Sequence, residues 1–393
     1  MPRSPLGADP RALPAPSADA RAHGERVAAH IARRISDAGG WIAFADYMDA
    51  ALYAPELGYY VAGARKFGSD GDFVTAPEMS ALFGRALAAQ VAEVIAQVPG
   101  DVIELGPGTG RLTVDVLGAL AARDALPERY LLLEVSPDLR DRQRALLQQK
   151  VPALLPRVEW LDVLPRRWRG AVVGNEVLDA IAPHVIVRAG GKWFERGVGL
   201  ESGTFTLVDR PLAEGGLRNA AGDRFPPQGD YASEINPAAQ ALVASIAQRC
   251  DAGVLLLLDY GFPAAEYYHP QRSTGTLMAH YRHRMLTDPL FMPGLADLTA
   301  HVDFTAIASV GVGAGMRVAG FTTQARFLVN CGLLELLAQS GDPASAAYLR
   351  EANALQKLLS PAEMGELFKV LALTRGIDAP LLGFRAGDQT HRL

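Results

Sequence analysis

The stretch Glu104–Leu112, "ELGPGTGRL", follows the apolar pair Val102-Ile103 and opens a helical pattern running from Arg111 to Ala122. Glycines at a strand-to-helix junction let the chain turn sharply and let a ligand approach the backbone. What lies downstream decides the fold. Tyr130–Val135 reads as a strand and Pro137–Gln149 as a helix, followed by strands at Val158–Leu161 and Ala171–Gly174. Strands alternating with helices specify a parallel sheet covered on both faces. The expected class is therefore α/β, a Rossmann-like doubly wound sheet with the glycine loop at its ligand-binding edge.

Two cofactor classes use such a loop. Dinucleotide sites want G-x-G-x-x-G, with a pyrophosphate at the helix N-terminus. Here Gly106, Gly108 and Gly110 enclose Pro107 and Thr109, and Arg111 stands where the dinucleotide pattern needs its next glycine. The spacing is instead similar to the first motif of class I S-adenosylmethionine (SAM) methyltransferases, in which an acid, here Glu104, precedes G-x-G-x-G. Glu134 ends the second strand, about two dozen residues after the glycines, within range for a ribose-binding acid. Asp162 ends the third strand, where an acid suits the adenine amino group. Val135 and Val163, which follow these acids, are counted with them as cofactor contacts. A glycine turn beside solvated acids is the competing reading, and three successive strand ends with suitable groups weigh against it.

The chain has 393 residues, enough for one large domain with insertions or for two to three ordinary ones. Apolar content of 49% and charged content of 21% are globular. A net charge of −5 gives no basic surplus, which argues against a nucleic-acid partner. Two cysteines, Cys250 and Cys331, make neither a disulfide framework nor a metal spacing and fit a reducing compartment. No apolar run approaches membrane-spanning length, so no membrane insertion is expected. The first residues lack a signal-peptide core. These features suit the bacterial cytoplasm, or the mitochondrial matrix for an organellar precursor.

The expected organisation is a disordered tail over 1–23, an N-terminal helical cap with a cofactor-covering loop over 24–98, and a SAM-binding core over 99–260. A β-hairpin insertion at 185–235 interrupts that core. A substrate-pocket insertion over 261–315 precedes the last strands and helices of 316–393. Within this scheme Gly24–Ala38 is an amphipathic helix with Val27, Ile31 and Ile35 on one stripe, and Glu78–Val98 a long helix capped near Thr75. Gly253–Asp259 is the strongest strand, and two helices separate the strands Arg317–Thr323 and Phe368–Thr374.

"GNEVLDA", Gly174–Ala180, delivers Asn175, Glu176 and Asp179 at the end of the fourth strand. Carboxylates near a core are costly unless something pairs with them. A helix start, with acids facing the macrodipole, is one answer; a ligand is the other. The insertion adds His280, His283, His301 and Asp303. A metal site there is disfavoured by the Gly/Pro-rich connection and the lack of cysteine, so none is assigned. A proton acceptor near the substrate or lid scaffolding suits His301 and Asp303 better.

Longer segments carry a more specific resemblance. "GYYVAGARKFGSDGDFVTAPEMSALFG" (Gly58–Gly84), "ELGPGTGRL", "EVSPDLRDRQ" (Glu134–Gln143), "GNEVLDAIAPH" (Gly174–His184), "YRHRMLTDPLFMPGLADLTAHVDF" (Tyr281–Phe304), "GFTTQARFL" (Gly320–Leu328) and "EMGELFKVLAL" (Glu363–Leu373) resemble the MidA family. That family includes mitochondrial complex I assembly factor 7 and its bacterial relatives. The resemblance implies a SAM-dependent protein arginine methyltransferase whose mitochondrial members symmetrically dimethylate an arginine of a complex I core subunit. It implies cofactor roles for Gly106, Gly108, Gly110 and Glu134. It also suggests that Gly71-Asp72-Phe73 and Thr75-Ala76-Pro77 fold over the cofactor. Asn175 would bridge to its methionine end, while Glu176 and Asp179 would pair with the substrate guanidinium. Where the family usually has two large apolar or aromatic residues between these acids, this chain has Val177 and Leu178. A small-molecule or other-residue methyltransferase, and a SAM-binding assembly chaperone without turnover, are the alternative functions.

Overall fold

A computed structural model describes residues 13–61, 75–282 and 284–393. The chain divides into two compact units. One comprises Thr75–Leu178, Gln240–Pro263 and Val302–Leu393; the other comprises Met1–Val74, Asp179–Ala239 and Ala264–His301.

The first of these units is built on a sheet of seven main strands. In chain order they are β1 (Asp101–Leu105), β2 (Tyr130–Leu133), β3 (Val158–Leu161), β4 (Trp168–Asn175), β5 (Cys250–Phe262), β6 (Arg317–Thr323) and β7 (Phe368–Arg375). Their spatial order is β6-β7-β5-β4-β1-β2-β3. The run from β3 through β5 is parallel. β7 is antiparallel to both of its neighbours. A two-residue strand, Val302–Asp303, continues the edge alongside Gly261 and Phe262. β1, β4 and β5 are largely buried on both faces, as in a doubly covered parallel sheet. Leu82, Leu87 and Val91 of the helix Ala81–Gln97 share one buried core with Val102, Val173 and Leu256.

The long helix begins at Ala81 rather than at Glu78. A separate turn, Ala76–Met79, precedes it, and Thr75 makes no side-chain cap there. Ser80 is extended (φ −156°) and its hydroxyl accepts the Leu82 N–H at 3.1 Å, which restarts the helix. Four short helices, not two, connect β6 to β7: Gln324–Asn330, Leu333–Ala338, Ala346–Leu359 and Met364–Leu367. Left-handed Gly332 (φ 85°) and the Ser345 cap divide what reads as continuous helix.

The second unit begins with the helix Ala18–Asp37, six residues earlier than Gly24, because the Ser17 hydroxyl accepts the Ala20 N–H at 3.2 Å. Val27, Ile31 and Ile35 are buried as their spacing requires, against Phe44, Met48 and Val198. The segment expected as a hairpin holds four strands, His184–Ala189, Lys192–Glu201, Thr204–Pro211 and Tyr231–Ile235, with a helix at Gly216–Arg224. They form an antiparallel sheet with Trp41–Ala43. A smaller antiparallel sheet joins Arg284–Leu286, Met278–Tyr281 and Asp297–Thr299.

The units therefore differ from the consecutive segments expected from the sequence. The boundary crosses 24–98 and 99–260, because strand pairing joins Trp41 to Gly199 while the helix Ala81–Gln97 packs with the parallel sheet. Among the described residues, no helix is long and apolar enough to cross a membrane.

Candidate active site

The C-terminal edge of the parallel sheet brings the glycine loop and the β2 and β4 ends to one region of the fold. Gly106, Gly108 and Gly110 all have positive φ (57°, 54° and 83°), which glycine adopts without steric cost. Gly110 caps the helix Arg111–Ala121. Thr109 donates its hydroxyl to Glu78, tying Ala76–Met79 to the loop. Thr75 stands at the start of that turn and Pro77 is buried in it. Gly71 lies outside the described residues.

Glu104 is buried in β1 at 1% exposure. Its Oε2 accepts the hydroxyls of Thr113 and Tyr130, each at 2.8 Å, while Oε1 has no hydrogen-bond partner among the described residues. Burial pushes its carboxyl up to about 7, against the opposing effect of both hydroxyls. Glu134 follows β2 and is also buried. Oε1 accepts the Ser136 N–H at 2.8 Å, and Oε2 accepts the Gln143 side-chain N–H at 3.2 Å. Burial raises its pKa, opposed chiefly by these two hydrogen bonds.

Asp162 projects into solvent with its side chain 86% exposed and pairs with Arg140 at 2.8 Å. Arg140 also donates to the carbonyls of Glu134 and Leu161 at 2.7 and 2.8 Å, bracing the β2 and β3 ends. Val135 and Val163 are 69% and 74% exposed, unusual for valines at the ends of core strands.

At the end of β4, Asn175 donates to Glu176 Oε1 at 3.1 Å, while its own Oδ1 is buried with no partner among the described residues. Glu176 has a left-handed backbone (φ 53°), uncommon for a residue bearing a Cβ. Its N–H donates to Leu258 O at 2.8 Å. Asp259, buried at the end of β5, accepts the next two N–H groups, of Val177 and Leu178. This turn lies beside the glycine loop: Leu105 is paired with Gly174, and a Cβ on Gly106 would stand 3.4 Å from Val177 Cγ2.

The remaining catalytic candidates fall differently. Asp179 opens a segment of the second unit and starts no helix; a turn leads from it through Pro183 into the strand His184–Ala189. The helix-start reading of Asp179 is therefore corrected. Its carbonyl accepts the Ala300 N–H at 3.0 Å. His301 ends another segment of that unit, held by its N–H to Thr276 Oγ1 at 3.0 Å and its carbonyl to Tyr267 OH at 3.1 Å. Asp303 caps the helix Phe304–Gly313, accepting the Ala306 N–H at 3.1 Å. His283 is outside the described residues, among which no group of three or more His, Cys, Asp or Glu is placed to hold a metal.

Two residues outside the candidate list stand out: Asp259, which at the end of the fifth strand reads from the sequence equally as pocket lining or as a satisfied turn, and Gln143, which carries no assignment there. Asp259 has the backbone-holding role just described. Gln143 bridges Gly108 O, Glu134 and the Trp160 indole. A signal for Gln143 exists: Leu139, Gln143 and Leu147 share one buried helix face, and a lone amide on such a stripe needs partners.

This sheet order, with one antiparallel strand inserted before the last, and a G-x-G-x-G loop facing a strand-end acid define a class I SAM-dependent methyltransferase. A family model described as "Putative S-adenosyl-L-methionine-dependent methyltransferase" matches residues 84–322. The protein arginine methyltransferase NDUFAF7 of Danio rerio mitochondria is 31% identical over 88% of this chain and 86% of its own length. The Drosophila melanogaster homolog is 29% identical over 95% and 92%. A Burkholderia thailandensis protein crystallised with S-adenosyl-homocysteine is 47% identical, covers 97% of this chain and 100% of its own, and superposes with a TM-score of 0.94. A native structure from the same organism gives 46%, 97%, 100% and 0.90. The chain belongs to this family of methyltransferases, the MidA family.

Proposed function

We propose that the protein transfers the methyl group of SAM to an arginine side chain of a partner protein, with Glu176 as the carboxylate that receives the guanidinium. The observation that carries this reading is the β4 end. A carboxylate is held beside the glycine loop in a left-handed turn whose three successive N–H groups, of Glu176, Val177 and Leu178, are captured by the Leu258 carbonyl and the Asp259 carboxylate. The relatives named protein arginine methyltransferases supply the acceptor class.

The residues present fit the cofactor. Glu134 offers a braced carboxylate to a ribose diol, and Val135 and Val163 offer apolar surface to a base. The orphaned Asn175 Oδ1 is an acceptor for the ammonium of a methionine moiety. Gly106, Pro107, Gly108, Thr109 and Gly110 form the loop that would hold that moiety, and Asp162 would stand at the adenine end.

SAM supplies an electrophilic methyl on a sulfonium. The protein's task is to align the acceptor nitrogen in line with it and exclude water. A guanidinium keeps its proton in water. Glu176, paired with it, holds positive charge on the nitrogens that do not react. The attacking nitrogen would form the N–C bond as the S–C bond breaks and would pass its proton to solvent water, leaving methylarginine and S-adenosyl-homocysteine. Asn175, donating to Glu176 Oε1, orients the carboxylate.

We place the protein in the bacterial cytoplasm, or in the mitochondrial matrix if it is an organellar precursor, with a complex I core subunit as the first acceptor to try. The test is tritiated SAM with lysate protein. Label recovered as dimethylarginine, lost in Glu176→Gln with SAM affinity retained, supports the reading. Label confined to small molecules identifies a different acceptor class, and SAM binding without transfer identifies a chaperone.

A further inference from the structure

Gln143 is fully buried in the second turn of the helix Pro137–Lys150, yet both polar atoms of its amide are bonded. The Trp160 indole N–H can only donate, so the amide oxygen must face it, at 2.8 Å. That orientation leaves two N–H groups. One reaches Gly108 O at 2.8 Å, within the glycine loop; the other reaches Glu134 Oε2 at 3.2 Å. The stem is equally engaged, since a Cβ on Gly110 would stand 3.1 Å from Gln143 Cγ. One side chain thus touches the loop at two glycines, the strand-end acid of β2 and an aromatic residue of β3.

We propose that Gln143 is the positioning residue of the SAM site. Its amide fixes the glycine-loop carbonyl and the ribose-binding carboxylate to one another, so that the methionine and ribose ends of the cofactor meet a single prebuilt surface. This rests on the assignment of Glu134 to the ribose.

Two consequences separate positioning from plain packing. A ribose diol is best received by an ionised carboxylate that accepts both hydroxyl protons. Burial disfavours that charge on Glu134. The Ser136 N–H, the Gln143 amide, the Val135 N–H and the Arg140 guanidinium favour it. Removing the Gln143 donor moves the carboxyl pKa higher, so cofactor binding is lost on acidification at a higher pH than in the wild type. Leucine in its place also frees the Gly108 carbonyl, and glutamate adds a second buried carboxylate against Glu134.

The experiment is calorimetric titration of the full-length protein with S-adenosyl-homocysteine across pH. Gln143→Leu is expected to weaken binding about tenfold near neutrality, the loss of one to two buried hydrogen bonds, and to move the acid limb upward. A folded Gln143→Leu with wild-type affinity and an unmoved acid limb overturns the proposal. Should that variant fail to fold, Trp160→Phe provides the test. It removes the donor that orients the amide and is expected to weaken binding in the same direction, and unchanged affinity overturns the idea. Wild-type protein that binds no S-adenosyl-homocysteine sinks the SAM reading itself. Glu134→Gln binding like wild type removes the ribose role, and this proposal with it.

Discussion

Asp259 Oδ2 lies 2.9 Å from the backbone nitrogen of Leu178 and accepts its N–H, joining the end of β5 to the turn that follows β4. The same oxygen accepts the Val177 N–H at 3.2 Å, and Oδ1 accepts that of Tyr260 at 2.9 Å. With Glu176 N–H on Leu258 O, three successive backbone donors are captured, which over-determines the left-handed conformation of Glu176. In Asp259→Asn the new side-chain N–H₂ must face one of these donors. The expected cost is about 1–3 kcal/mol in urea denaturation, with methyl transfer falling further than SAM affinity. Wild-type stability and rate in this variant would show that the turn holds itself.

Gly106→Val is expected to abolish SAM binding. Its φ of 57° is strained for a β-branched residue by about 1–2 kcal/mol, and the added Cβ already stands 3.4 Å from Val177 Cγ2 before the methyls are counted. The loop must move away from the β4 end, where Asn175 and Glu176 lie. Titration with SAM, on protein shown by circular dichroism to be folded, checks this; retained affinity would place the cofactor away from the loop.

The sheet between Val102 and Gly174 is legible in the sequence because each strand has a short apolar run and each connection carries helical spacing, glycine or proline. The position of β7 is not. Phe368–Arg375 is buried up to its last residue around a central apolar run, and nothing in such a run distinguishes a parallel from an antiparallel neighbour. The second unit is illegible for a related reason, since Trp41 pairs with Gly199 far along the chain. The glycine at 197 makes sense only against the strand Trp41–Ala43, since an added Cβ would meet the Ile42 carbonyl and stand 2.4 Å from Trp41 Cε2. Among the candidate site residues, Gly106 and Glu134 are readable from spacing. Asp259 is readable only as pocket lining or as a satisfied turn, because its partners are backbone N–H groups of a distant segment.

Ser80→Ala separates stability from chemistry. Ser80 caps the helix Ala81–Gln97 through the Leu82 N–H and donates to Glu351 Oε2 at 2.5 Å, and it is buried. Losing the cap and stranding a carboxylate should cost about 1–2 kcal/mol. Urea denaturation measures the loss, and SAM affinity should stay within about twofold because no residue of the glycine loop bonds to Ser80. A large loss of affinity with unchanged stability would contradict the assignment of Ser80 as a cap.

Glu104 should make stability depend on pH in the direction opposite to a salt-bridged acid. Burial raises its folded pKa from the ordinary 4.5 to about 7. Between those values the native state binds more protons than the unfolded state, so unfolding free energy falls as pH rises. The stabilising contribution is complete below pH 4.5 and lost as pH passes about 7. Its upper limit is about 3 kcal/mol. Glu104→Gln keeps an oxygen for Thr113 and Tyr130 but cannot titrate. The stability of Glu104→Gln minus that of wild type should therefore grow across this interval and level off above it. A difference that stays constant with pH, measured by urea denaturation at closely spaced pH values, would show that Glu104 is ionised throughout.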